Sequence, residues 1–359
     1  MKQIISVQYL RAAAATGVVV HHALGPPFIN NGSAPPTTIG EAGVDLFFVI
    51  SGFIIYVTTR SREVLPADFV QHRIIRIVPL YWLCTFAYLA MQLAGRKSET
   101  ISVSALVRSL LFIPTYDPAL AQKISAFYFL GWTLMYEMFF YALFAVALTL
   151  PRRRQLVSVI AVLVCLSALG AAIPFQGGMS YAYTSPLLLE FAAGCVIGAL
   201  YAKNALPRTS AGVLPVMVGF AALAATAWNL PEGLYARTLF WGVPAALILL
   251  GALCAEETVR RHSSSLLVSL GDASYAIYLS HVLIILAFNV VVQRLKISAG
   301  FPVFLALYLI AGGALAIAGG VLVHRFIERP MNAFLKSRRS APAALNSDAW
   351  RTGVGRSDA

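Results

Sequence analysis

EAGVDLFFVISGFIIYVTT, residues Glu41 to Thr59, is a run of 19 residues in which only Glu41 and Asp45 carry charge. An α-helix rises about 1.5 Å per residue, so a run of this length covers roughly the 30 Å hydrocarbon core of a bilayer. It predicts a transmembrane helix. Comparable runs recur at about 5–24, 77–94, 126–150, 156–174, 184–202, 211–228, 237–254, 269–292 and 302–323. The fold expected is therefore all-α: a polytopic transmembrane helical bundle of about ten spans. Composition agrees, since 59% of the 359 residues are hydrophobic and 12% are charged, against about 25% charged in a typical soluble domain.

An even number of spans puts both termini on one side. Placing that side in the cytosol puts 20 of the 27 Lys and Arg residues inside, among them Lys2, Arg60, Arg62, Arg73, Arg76, Arg152 to Arg154, Arg260 and Arg261. Cytoplasmic loops are basic as a rule, so both termini are expected to be cytoplasmic, in the inner (plasma) membrane. The formal charge of +12 would suggest nucleic-acid binding in a soluble protein; here membrane orientation accounts for it, and no nucleic-acid partner is expected. Residues 1–336 are assigned to the integral membrane domain. Residues 337–359, rich in Ala, Ser and Arg, are expected to form a disordered cytoplasmic tail.

Arg11 interrupts the first apolar stretch, which lacks a convincing A-x-A cleavage site, so an uncleaved first helix is expected. The segments GPPFINNGSAPP (Gly25 to Pro36) and NLPEG (Asn229 to Gly233) carry turn chemistry and read as outer loops. In the interval 95–125, the apolar run Val103 to Pro114 is too short to cross and suggests an interfacial or re-entrant segment. Cys84, Cys165, Cys195 and Cys254 lie in or at the ends of apolar runs without a C-x-x-C pair, so neither a disulfide nor a metal site is expected.

Ionisable residues inside spans are costly, about 2.5 to 3.5 kcal/mol at a helix centre on insertion scales, and each suggests a function. Arg11 and His22 are eleven residues apart, which places them about 20° apart around a helix and roughly 16 Å apart along it. Spacing alone leaves two readings open: a functional pair, or an arginine reaching the inner headgroups with a histidine capping the outer end. His21 points about 100° away and is taken as a bystander. Glu137, mid-span in GWTLMYEMFFY, needs a partner, for which His22 or an arginine are candidates; a protonated acid in a structural hydrogen bond is the alternative. Asp45, near the start of the second span, sits where a helix N-terminus stabilises a carboxylate.

Arg73 and Arg76 in HRIIRIVPLYW project from one helix face and suit bidentate phosphate recognition, although positive-inside placement alone would also explain them. In SLGDASYAIYLSH, Asp272 or Ser274 can cap the ninth helix. Tyr275, Tyr278 and His281 then form a polar stripe that must face protein or a cavity.

These segments together resemble the membrane-bound acyltransferase family 3, the O-acetyltransferases that act on O-antigens, exopolysaccharides, Nod factors and other cell-surface glycans. The resemblance runs through YLRAAAATGVVVHH (9–22, an R-x10-H pattern), GVDLFFVISGFII (43–55), the R-x-x-R of HRIIRIVPLYW (72–82) and W-[ST]-L-x-x-E (Trp132 to Glu137). It continues in SYAIYLSH (274–281) and HRFIERP (324–330). Thr133 stands where relatives often have Ser.

The resemblance implies an acyl-CoA donor, most simply acetyl-CoA, on the cytosolic side. It implies a carbohydrate hydroxyl of a polysaccharide or lipid-linked oligosaccharide as acceptor, with polysaccharide biosynthesis machinery as a further partner. By carry-over, Arg11 and His22 are the signature pair, Arg73 and Arg76 the R-x-x-R, and Glu137 the buried glutamate. The expected chemistry has His22 as general base, oriented by Glu137, and Arg11 guiding the donor or polarising its thioester. Arg73, Arg76, Tyr275 and His281 are the candidate donor-binding residues. An acyl-His22 intermediate is a variant. A transporter or flippase of lipid-linked glycan is the competing reading, for which no inverted repeat is visible; a catalytically silent synthase partner is a third.

Overall fold

The computed structural model describes residues 3–30, 39–95, 101–120, 124–173, 175–227, 233–296 and 300–340. The tail beyond 340, Arg96, Lys97, Lys123 and most of the two predicted outer loops lie outside the described residues. In chain order the helices are α1 (Ile5–Asn30), α2 (Ala42–Arg60), α3 (Pro66–Ala94), α4 (Val103–Leu110), α5 (Gly131–Ala147) and α6 (Arg152–Ala172). There follow α7 (Gly178–Tyr183), α8 (Leu188–Ala202), α9 (Val213–Ala225), α10 (Leu234–Arg237), α11 (Val243–Cys254), α12 (Glu256–Arg261), α13 (Ser265–Arg294), α14 (Phe301–Ala306), α15 (Gly313–Val323) and α16 (Arg329–Ser340). Among the described residues seven helical stretches are long and apolar enough to cross a membrane. Gly131–Ala147 and Ser210–Ala225 are shorter apolar helices.

Close packing at small residues holds the centre together. A Cβ on Gly52 of α2 would lie 2.1 Å from the Phe191 carbonyl oxygen of α8, and one on Gly194 of α8 would lie 2.0 Å from that of Val49. Only glycine lets these two backbones meet, the usual device where lipid offers no hydrophobic drive between helices. Around this contact the rings of Phe48, Phe191 and Phe140 stack at 4.7 and 4.6 Å, which fixes α5 against α2 and α8. On the other side α1 lies along α13, where a Cβ on Gly271 would be 2.2 Å from the Gln8 carbonyl oxygen.

The first turn of α1 leaves backbone N–H groups without helical acceptors. Those of Ile5 and Ser6 donate to the two oxygens of Glu256 at 3.0 and 2.9 Å. An acidic side chain from 250 residues away thus supplies what the local sequence does not.

Two sequence expectations change here, on the cap of α13 and the start of α3, and the interval before α5 gains detail. Helix α13 begins at Ser265, with the Ser264 hydroxyl accepting from Leu267 N–H, so neither Asp272 nor Ser274 is its cap. The interval before α5 holds the eight-residue α4 and a two-residue antiparallel ladder, β1 (Thr115–Tyr116) with β2 (Ile124–Ser125). Helix α4 is anchored to α3 by Tyr81–Ser109 (2.6 Å) and by Trp82 donating to the Leu110 carbonyl (3.0 Å). Arg73 and Arg76 lie within α3, which starts at Pro66, and not ahead of it.

Asp45 does sit in the first turn of α2, and it is fully buried. Arg237, the first residue of the run at 237–254, is buried against it: Nε and Nη2 donate to the two carboxylate oxygens at 3.1 and 2.9 Å, and Nη1 donates to Glu41 at 3.1 Å. The guanidinium also lies over Trp241 at 4.8 Å and Trp132 at 5.6 Å. Removing one partner of a buried ion pair strands the other charge, at a cost of about 3 to 5 kcal/mol. Arg237→Met is therefore expected to lower stability by about that amount, read as a fall in melting temperature of the purified protein in detergent.

Candidate active site

Five of the seven sequence-predicted site residues come to one place. A cavity of about 80 Å³ is lined by Arg11 of α1, Ser51 of α2, Arg73 and Arg76 of α3, Glu137 and Tyr141 of α5, and Tyr275 of α13. It meets a wider chamber of about 470 Å³ whose charged lining is six cations, Arg11, Arg62, Arg73, Arg76, Arg329 and Lys336, against the carboxylates Asp272 and Glu328. Arg11, Arg73 and Arg76 line both, so these guanidiniums stand at the junction.

The arginines are held by neighbours that leave donors free. Arg73 lies over the rings of Phe69 and Tyr141, at 5.3 and 5.6 Å, and its buried Nε has no hydrogen-bond partner among the described residues. An orphaned N–H at this depth is costly unless a ligand accepts from it. Arg11 donates to Gln8 at 3.2 Å, one turn back on α1. Tyr275 donates to the Ile77 carbonyl of α3 at 2.7 Å, which ties α13 to the helix carrying the arginine pair.

Glu137 accepts from the Ser51 hydroxyl at 2.8 Å and from Tyr141, one turn along α5. The expectation that it orients His22 is not met. The His22 ring instead meets His281: Nε2 of His281 lies 3.1 Å from Nδ1 of His22, which is also 3.0 Å from the Val18 carbonyl oxygen. His281, placed from the sequence among the donor-binding residues, is fully buried and lines neither of the two cavities.

His22 lines neither cavity as well. Tyr278 is the link between the histidines and the narrow cavity that the contacts show. It lines the cavity, lies 6.1 Å ring to ring from His281 and shares a 2.8 Å hydrogen bond with Thr133. Thr133 thus keeps the hydroxyl that a serine would bring. His21 packs edge-on against His22, ring centroids 5.0 Å apart, and pairs with Glu41 at 3.4 Å.

Sequence reading missed Ser51 and Tyr141 as partners of Glu137. The i, i+4 spacing of Glu137 and Tyr141 was a usable signal for the second; nothing local pointed to Ser51, 86 residues away.

A carboxylate and three guanidiniums lining a cavity within an apolar helical bundle fit a multi-pass membrane protein with a polar interior site. Comparison with known proteins gives the class. The chain belongs to acyltransferase family 3, whose acyltransferase-domain model matches residues 4–325, and it is an O-acyltransferase. It is 36% identical over 308 residues to the exopolysaccharide production protein ExoZ of Rhizobium meliloti, covering 84% of this chain and 92% of that protein. It is 27% identical to the acyltransferase MdmB of Streptomyces mycarofaciens over 86% of this chain and 85% of that one. It is 25% identical to the O-acetyltransferase OatA of Staphylococcus aureus over 92% of this chain and 58% of that one. No solved structure matches the chain.

Tyr141→Phe removes one of the two hydroxyl donors to Glu137. Losing a donor to a buried acceptor costs about 1 to 3 kcal/mol, and a matching fall in thermal stability is expected in detergent, while Tyr88→Phe, away from Glu137, serves as the comparison.

Proposed function

We propose that this enzyme moves an acetyl group from cytosolic acetyl-CoA to a hydroxyl of a cell-surface or lipid-linked polysaccharide. In this reading a ten-span bundle sits in the inner membrane with both termini in the cytosol. The observation that carries it is the excess of cations around the wide chamber, six against two carboxylates, narrowing to Arg11, Arg73 and Arg76. A nucleotide-bearing donor has several phosphate charges at one end and a long thin thioester arm at the other. The chamber suits the first, the cavity suits the second, and the unpartnered Arg73 Nε supplies a donor for an anion. The name of the Rhizobium relative supports an exopolysaccharide as the class of acceptor.

In the reaction His22 takes the proton of the acceptor hydroxyl as its oxygen attacks the thioester carbonyl. The new C–O bond forms, the C–S bond breaks, and the proton passes from the imidazolium to the departing thiolate of coenzyme A. Arg11 stabilises the oxyanion or guides the arm toward it. Since neither histidine lines the two cavities, transfer by this route requires the narrow cavity to open toward the histidine pair.

Purified protein supplied with radiolabelled acetyl-CoA and acceptor glycan is expected to label the glycan, and His22→Ala at normal membrane abundance is expected to abolish labelling. Unchanged transfer in that variant would end the role of His22. Label retained on the protein without acceptor would redirect the mechanism to an acyl-histidine.

Arg73→Gln and Arg76→Gln are each expected to raise the KM for acetyl-CoA about tenfold or more, since a hydrogen bond to a charged group contributes about 1.5 to 3 kcal/mol. Equal KM values in both variants and the wild type would remove the arginine pair from donor binding.

A further inference from the structure

The contacts of the two facing histidines leave a single arrangement of their protons. Nδ1 of His281 lies 2.7 Å from the Tyr278 carbonyl oxygen and 3.1 Å from that of Ile277. Carbonyl oxygens only accept, so this nitrogen carries a proton. In the neutral ring Nε2 of His281 is then a bare lone pair, and the nitrogen 3.1 Å away, Nδ1 of His22, must be the donor to it. The Val18 carbonyl oxygen at 3.0 Å makes the same demand of His22 Nδ1. The opposite assignment fails twice: it would set the Nδ1 lone pair of His22 against the Val18 oxygen, and it would need both nitrogens of His281 protonated.

We infer that His281 is a positioning residue that holds His22 protonated at Nδ1, so that Nε2 of His22 is the atom that takes the acceptor's proton. The inference rests on the reading of His22 as general base and says which nitrogen acts and what aims it. Nε2 of His22 has no hydrogen-bond partner among the described residues, and His22 is only partly buried, whereas His281 is fully buried. His281 cannot turn round to donate instead, because its own N–H is committed to two carbonyls of α13.

When Nε2 accepts a proton, the Nδ1–H of the resulting imidazolium already faces two acceptors, the Val18 oxygen and the His281 lone pair. The orienting group that Glu137 was expected to be is therefore a second imidazole on α13.

Two measurements on the full chain in lipid nanodiscs test this. In the first, nitrogen-15 NMR of histidine-labelled protein, with His22 assigned by its loss in His22→Gln, is expected to show His22 protonated at Nδ1 and bare at Nε2. A proton on Nε2 of neutral His22 would overturn the assignment.

In the second, His281→Leu removes the acceptor and His281→Gln keeps an oxygen near the same place. The leucine variant is expected to lose about 10- to 100-fold in kcat, as supporting partners of a reactive histidine do, with the KM for acetyl-CoA unchanged and the glutamine variant recovering most of the loss. Full kcat in His281→Leu alongside a dead His22→Ala would overturn the role of His281 and leave the general base standing; full activity in His22→Ala would instead remove the general base itself. Should the leucine variant fail to fold, the wild-type tautomer still decides.

Discussion

An ionisable side chain cannot be left alone in hydrocarbon, and that constraint organises this bundle more than any pattern of apolar packing does. Three separate sets of polar groups are compensated within it. Arg237 meets Asp45 and Glu41 and is enclosed by two indoles. Glu137 is met by two hydroxyls, and His22 by His281 and a backbone oxygen. Each set joins helices far apart in sequence, so satisfying the charges also fixes which helices are neighbours. Removing one member leaves the rest without compensation, and the cost is therefore felt in the fold as well as in the site.

The arginines that line both cavities are less fully compensated. Three guanidiniums share the space with one carboxylate, Glu137, one of whose oxygens accepts from both Ser51 and Tyr141. Such an excess of positive charge is held by the surrounding fold and not by local ion pairing. The glycine contacts between α2 and α8, the phenylalanine stack and the Tyr275 bond to α3 supply that rigidity. A site that keeps uncompensated donors is prepared for an anion, in the same way that a helix N-terminus is.

Much of this was legible from the residues. The apolar runs of the sequence largely fall in helices, and Arg11, Arg73, Arg76 and Glu137, singled out from the sequence, line one cavity, whereas His22 does not. What failed was the choice of partners. Periodicity says which side chains share a face of one helix, but it carries no information on which other helix that face meets. Glu137 and His22 therefore looked like natural mates, being the lone acid and the lone base of two patterned segments, while the structure gives each a different neighbour. Asp45 and Arg237, 192 residues apart, were unreadable for the same reason. The start of α13 was misjudged because Asp272 looks like a cap, whereas the true cap, Ser264, lies in a polar stretch with several equivalent serines.

The pairing of His22 with an imidazole has a physical logic of its own in a membrane. A carboxylate in that position would orient the base and stabilise its protonated form more strongly, but in the resting enzyme it would be a second buried charge in need of a partner. A neutral ring, its own N–H spent on the backbone of α13, offers a fixed lone pair and adds no charge until a proton arrives. Under the general-base role proposed for His22, the positive charge then exists only while the acceptor oxygen and the leaving sulfur carry the matching negative charge. In a medium that tolerates isolated ions poorly, this ties proton transfer to the presence of both substrates.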